Sequence, residues 1–192
     1  MTGLASAIGG ALLLAAVSTL GDFIWAHFDL QHRPTFGLTH GTLLCGVLGA
    51  YLGLLRKRPL VGAIGGAVIG FAAAAGFYGL ASLAGMTAMF PLWMAFWIAF
   101  ALLDARILTD PAERAPGARS ALVRGAVAAL ASGLAFYAIS GIWLDRSPDG
   151  PNYAVNFASW SFAFLPGFLA LLTGPRKPAR DTSPARDTSL VQ

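Results

Sequence analysis

The sequence predicts an all-α membrane protein, a bundle of six transmembrane helices. Of its 192 residues, 56% are hydrophobic and only 11% are charged, whereas soluble domains carry about a quarter charged residues. One span of the hydrocarbon core needs about 20 mostly apolar residues. Six apolar runs of about that length lie within residues 1–174. We therefore expect a single six-helix transmembrane domain without a separate soluble domain.

The individual helices follow from apolar runs between charged breaks. These runs predict helices at residues 4–28, 36–55, 60–84, 86–103, 121–144 and 157–173. The first run lacks Lys and Arg at its start and is longer than the apolar core of a signal peptide, so we expect it to remain as a helix. Residues 175–192 repeat one polar hexapeptide, at 178–183 and 184–189. This composition predicts a disordered cytoplasmic tail.

The distribution of basic residues predicts the orientation in the membrane. In a six-helix topology, eleven of the 13 Lys and Arg residues fall on one face and only Arg33 and Arg146 on the other. Cytoplasmic loops are enriched in Lys and Arg, so both termini are predicted to be cytoplasmic. With five or seven helices, the Lys and Arg residues would no longer be concentrated on one face. The excess of Arg over Lys and the abundance of Ala and Gly are typical of GC-rich bacteria, which favours a bacterial inner membrane.

Composition also argues against several functional classes. The net charge of +4 could suggest nucleic acid, but the basic residues lie between apolar runs instead of forming a continuous stripe, so no nucleic-acid partner is expected. The single cysteine, Cys45, permits neither an intramolecular disulfide nor a CxxC motif. No sequence motif for a metal or cofactor is present, and we expect none to be bound.

Ionisable residues inside a span are functional candidates by default. Asp22 is predicted to lie about 9 Å below the interface, and His40 lies at a comparable depth in the second helix. With His27, Asp29 and His32 they could converge on one outward-facing site, although their spacing matches no known metal motif. Three interpretations remain open for Asp22 and His40: a metal site, acid and base groups of a small lipid enzyme, or a hydrogen bond that locks two helices.

Small residues predict close contact between helices. Gly62, Gly66 and Gly70 recur every four residues in the third helix, and Cys45, Gly49 and Gly53 do so in the second. We expect these two helices to pack together in the centre of the bundle, although such faces also suit a homo-oligomer. Pro166 is expected to kink the sixth helix, with Gly167 easing the bend. Inverted repeats typical of transporters are not apparent.

The second half of the chain resembles the Insig family of six-helix membrane proteins. An aromatic fourth helix ends in Asp104 and Arg106. An aromatic end of the fifth helix and a short outer loop then precede a sixth helix that contains Trp160. The other residues that carry the resemblance are Phe96, Trp97, Phe100, Leu102, Leu103, Phe136, Tyr137, Ile142, Trp143, Ser147, Pro148 and Asp149.

The resemblance implies a protein without enzymatic activity that holds a sterol or a diacylglycerol-like lipid in a central cavity, as a lipid sensor. It places Trp97, Phe100 and Trp160 against the ligand, with Asp104 and Arg106 at the cytoplasmic rim. Membrane lipid is the implied partner. The alternative function is an integral membrane enzyme acting on a lipid, with Asp22 and His40 as acid and base groups.

Overall fold

A computed structural model describes residues 3–30, 33–109, 118–144 and 152–173, and these form six long helices. All six are long and apolar enough to cross a membrane, the fourth as Met89–Leu108 together with the helical turn that follows it, which confirms the predicted all-α, six-helix class. The predicted tail lies outside the described residues. The helices are α1 (Gly3–His27), α2 (Pro34–Leu55), α3 (Pro59–Ala84), α4 (Met89–Leu103), α5 (Ala118–Leu144) and α6 (Tyr153–Leu172).

Local signals explain where the helices begin and end. Pro34 and Pro59 occupy the first helical position of α2 and α3, where the missing N–H would have no partner in any case. Asn152 caps α6, because its side chain accepts hydrogen bonds from the backbone N–H groups of Ala154 and Val155. This cap starts α6 four residues before the predicted boundary. A π-helical turn, Asp104–Leu108, follows α4 directly.

The helices pack in a ring that follows the chain order. α2 packs on α3, α1 packs on α6, and α5 lies between α6 and α4, whereas the α1/α2 and α3/α4 contacts are sparser. Large side chains of α4 and α6 fill the interior. The largest fully buried ones are Trp97, Phe100, Phe164 and Phe168.

The glycine faces of α2 and α3 meet as predicted, but their predicted central position is wrong. A Cβ at Gly62 would collide with the backbone carbonyl of Gly49, and one at Gly66 would collide with that of Cys45. Yet α3 is the least buried of the six spans, with only 17% of its apolar window inside the protein. The large side chains that fill the centre come from α4 and α6, and α3 turns Val68 and Phe71 outward.

The bundle has two ends that are distinguished by their charged residues. The Arg56 end carries the three-residue α2–α3 turn, Arg56–Arg58, and the π-helical turn after α4. The Asp22 end carries the end of α1 and the start of α6. The positive-inside rule predicts that the Arg56 end is cytoplasmic. On that prediction the Asp22 end faces outward.

Candidate functional site: an apolar cavity at the Asp22 end

A partly open cavity of about 290 Å³ lies in the half of the bundle nearest the Asp22 end, and all six helices contribute to its wall. Much of this space is present because several residues of α2 and α3 in the wall are small. Gly41 and Gly70 lie at the contact between these helices, and Ala73 and Ala74 continue the same face of α3. Glycine has no side chain and alanine has only a methyl group. The two helices can therefore touch without filling the interior of the bundle.

Aromatic rings form the opposite wall of the cavity. Trp93 stacks on Phe136 at 4.9 Å and on Phe164 at 5.6 Å between ring centroids, and Trp160 stacks on Phe164 at 5.5 Å. Ser132 fixes Trp93, because its Oγ accepts a 3.2 Å hydrogen bond from Trp93 Nε1 and donates to the carbonyl of Ala163. The rings therefore form a connected cluster that is held in position.

Asp22 is the acidic residue of the cavity wall and is bound to α6. Its Oδ2 accepts hydrogen bonds from Asn156 Nδ2 at 2.9 Å and from Trp160 Nε1 at 2.7 Å. Asn156 and Trp160 are one turn apart, so they point to the same side of α6. Two side-chain donors of α6 therefore hold the Asp22 carboxylate.

The predicted hydrogen bond between Asp22 and His40 is not formed between these described residues. Both side chains line the cavity, but the His40 ring packs over Gly21, where a Cβ would collide with it, and stacks on Phe36 at 5.8 Å. The physical reason is that Asp22 lies about 100° further round α1 than Gly21, on the side that packs on α6. Asp22 therefore finds its partners on α6, and the direct acid and base pair is missing.

The predicted cluster of outer ionisable residues comes together only in part. His27 is exposed and stacks on Phe23 at 4.4 Å, and Asp29 is exposed in the turn after α1. His32 lies outside the described residues. Within the described part of the chain, no group of three or more metal-ligating side chains is found. Asp22 and His40 are thus the members of the predicted cluster that share one cavity.

The five residues predicted to contact a ligand occupy three different places. Trp160 lines the cavity. Trp97 and Phe100 are fully buried in the core, where the Trp97 ring packs directly on Gly167. Asp104 and Arg106 lie at the Arg56 end, and counting from Phe96 at 1.5 Å per residue puts Asp104 about 12 Å further along α4.

At the Arg56 end, Asp104 is held by a residue that the sequence did not suggest. Arg56 Nε and Nη2 donate to the two carboxylate oxygens of Asp104 at 2.8 and 2.9 Å. Arg58 Nη1 donates to the carbonyl of Ile107 at 2.9 Å. Asp104 is 2% exposed, while Arg106 is exposed to solvent. These bonds join the α2–α3 turn to the end of α4 and close this end of the bundle.

No family model matches the chain, and no curated protein or solved structure matches it. What the site can do therefore follows from its own geometry. It offers a cavity with mostly apolar walls, an aromatic cluster on one side and a small set of polar groups near one end. That combination is typical of sites for small hydrophobic ligands.

Proposed function

We propose that this chain is an Insig-like membrane protein that binds a hydrophobic ligand, a sterol or a diacylglycerol-like lipid, inside its helix bundle. The observation that carries this proposal is the apolar cavity of about 290 Å³ at the Asp22 end. Its volume is just below the range of about 300–1,000 Å³ for ligand pockets. We infer that part of the ligand is enclosed and the rest extends through the opening into the lipid.

The membrane supplies candidate occupants for this cavity. Membrane proteins are surrounded by apolar lipid chains, and the cavity is partly open, so such a chain can enter it. A lipid that enters this cavity gains dispersion contacts with the aromatic wall formed by Trp93, Trp160 and Phe164.

The enzymatic alternative has less support from the site. It relies on Asp22 to orient His40 as a base, but Asp22 accepts hydrogen bonds from Asn156 and Trp160 and forms none with His40. A catalytic base is usually oriented by a further group, and that contact is missing between these two described residues. We therefore propose a binding protein, located in the bacterial inner membrane, in which the ligand is not chemically changed.

Filling the cavity is expected to expel the ligand. Ala73 lines the cavity, whereas Ala75, two residues later on α3, is exposed on the outer face. Because phenylalanine at position 73 would occupy the ligand's space, Ala73→Phe should reduce the bound lipid at least fivefold, equivalent to about 1 kcal/mol. Ala75→Phe makes the same change on the membrane-facing side and should leave the amount unchanged.

The measurement is native mass spectrometry, with lipid extraction, of the full chain purified in mild detergent. A single lipid class at a fixed ratio to protein is expected for the unaltered chain and for Ala75→Phe. Equal retention by Ala73→Phe would contradict the proposal, because the lipid would then lie outside the cavity. Absence of any retained or added lipid from all three proteins would also contradict it.

A further inference from the structure

One side of the cavity wall carries a buried hydroxyl group that lacks a hydrogen bond. Ser18 lines the cavity and is 1% exposed, and its Oγ has no partner among the described residues. Serine within a helix can donate to the carbonyl one turn earlier, but Ser18 does not. Leaving a buried hydroxyl unpaired is unfavourable. A ligand atom that bonds Ser18 would remove that penalty.

Asp22 lies one turn after Ser18 on α1, so both side chains face the same cavity. The carboxylate accepts two hydrogen bonds from α6, and a carboxylate offers about four acceptor sites. The bonds from Asn156 and Trp160 fix its orientation and leave capacity for another donor. Ser18 and Asp22 together can therefore both donate to and accept from one small polar group.

The charges around the cavity restrict what that polar group can be. The titratable side chains that line it are Asp22, His40, Cys45 and Tyr78, and no Lys or Arg of the described residues does so. A phosphate group would face the Asp22 carboxylate without a guanidinium or ammonium group to balance its charge. Burying two negative charges next to each other without a cation is strongly unfavourable. An anionic phospholipid headgroup is therefore disfavoured.

A cationic amine fits the carboxylate but not the aromatic wall. Recognition of ammonium groups by aromatic side chains uses the faces of the rings. Here Trp93 and Trp160 are stacked within the cluster, with interplanar angles of 24° and 19° to Phe164. These stacked contacts leave less ring face for a cation, so an uncharged group matches the cavity better.

We propose that Ser18 and Asp22 form a subsite for the hydroxyl group of a neutral lipid, which donates to Asp22 and accepts from Ser18. The apolar part of that lipid lies against the aromatic wall. Asn156 and Trp160 are positioning residues, because they hold the carboxylate that receives the hydroxyl. This assignment rests on the proposed function, since it requires that a lipid occupies the cavity.

Four short lipids that differ only in their polar end test the subsite. They are dioctanoylglycerol with its free hydroxyl group, the analogue in which hydrogen replaces that group, the phosphate ester and the corresponding amine. Binding of each to the full chain is measured by native mass spectrometry in mild detergent. We expect the alcohol to bind about tenfold more tightly than the analogue without the hydroxyl group or the phosphate ester.

Substitutions then assign that preference to the two side chains. Ser18→Ala should weaken binding of the alcohol about threefold to fivefold and leave the analogue without the hydroxyl group unchanged. Asp22→Asn should reduce the discrimination against the phosphate ester, because the carboxylate charge is removed. Ser6 is a buried serine on the same helix that does not line the cavity, so Ser6→Ala should preserve the preference. If Asp22→Asn does not fold, Ser18→Ala decides the test.

Three outcomes would overturn the inference. Equal binding of the alcohol and its analogue without the hydroxyl group, with binding still blocked by Ala73→Phe, would remove the subsite and leave the proposed function intact. Tightest binding of the amine would show that the subsite selects a cation. Failure of every probe to bind the unaltered chain would remove both the subsite and the cavity function.

Discussion

Replacing Gly66 with alanine is expected to lower the free energy of unfolding by about 2–3 kcal/mol, in the upper part of the range of about 1–3 kcal/mol for overpacked cores. A Cβ at this position would collide with the Cys45 carbonyl and lie 3.0 Å from the Cα of Gly49. Both neighbours are backbone atoms of α2, so no side-chain rotation can relieve the contact. Either α3 moves away from α2, with loss of packing along the whole interface, or the strain remains.

Gly79 provides the matched control on the same helix. It is exposed, and a Cβ there would have no neighbour within 4 Å. Because alanine favours a helix over glycine by up to about 1 kcal/mol, Gly79→Ala should be neutral or slightly stabilising. Both variants can be compared by unfolding in mixed micelles with increasing SDS, followed by circular dichroism. Equal stability of the two variants would argue against the close α2–α3 contact.

The number of helices could be predicted from the sequence because it depends on a local property. Each apolar run is long enough to cross the hydrocarbon core, and that length is fixed by the bilayer. The α2–α3 contact was also predictable, because glycines at four-residue spacing form a smooth face and the two helices are joined by the short turn Arg56–Arg58. Which helix occupies the centre depends on all six together. The side chains of Trp97 and Phe100 on α4 are buried there.

The partners of polar residues could not be predicted for a related reason. Asp22 and His40 lie at similar depths, and depth was the observation that paired them. The neighbour of α1 is α6, however, and a contact between residues 22 and 156 leaves no local signal in one sequence. Gly167 illustrates the same point. Its place after Pro166 predicts a bend in α6, but its contact with the Trp97 ring could not be predicted from that local signal.

The two ends of the bundle are built differently. At the Arg56 end, charged side chains connect the α2–α3 turn to the end of α4. At the Asp22 end, small residues of α2 and α3 face aromatic rings across a cavity, and α2 meets α1 only sparsely. The α2–α3 pair is therefore tied to the bundle at one end and borders an open space at the other. A ligand bound as proposed would occupy the half that borders the open space and leave the ion-paired half undisturbed.

The ion pair at the closed end should contribute strongly to stability. Replacing Arg56 with alanine would leave the Asp104 carboxylate, which is 2% exposed, without its bidentate hydrogen-bond partner. Removing one member of a buried ion pair costs about 3–5 kcal/mol. Because the Arg56 side chain is 19% exposed and water can enter from that end, we expect a loss of about 3 kcal/mol in the free energy of unfolding.

The same measurement in mixed micelles tests this expectation, with Arg106→Ala as the control. Arg106 is an exposed arginine at the same end of the bundle, so its removal should change stability by less than about 0.5 kcal/mol. Adding Asp104→Leu to Arg56→Ala should recover most of the lost stability, because no unpaired charge then remains buried. If the double variant is as unstable as Arg56→Ala alone, the loss comes from packing of the arginine and not from the stranded carboxylate.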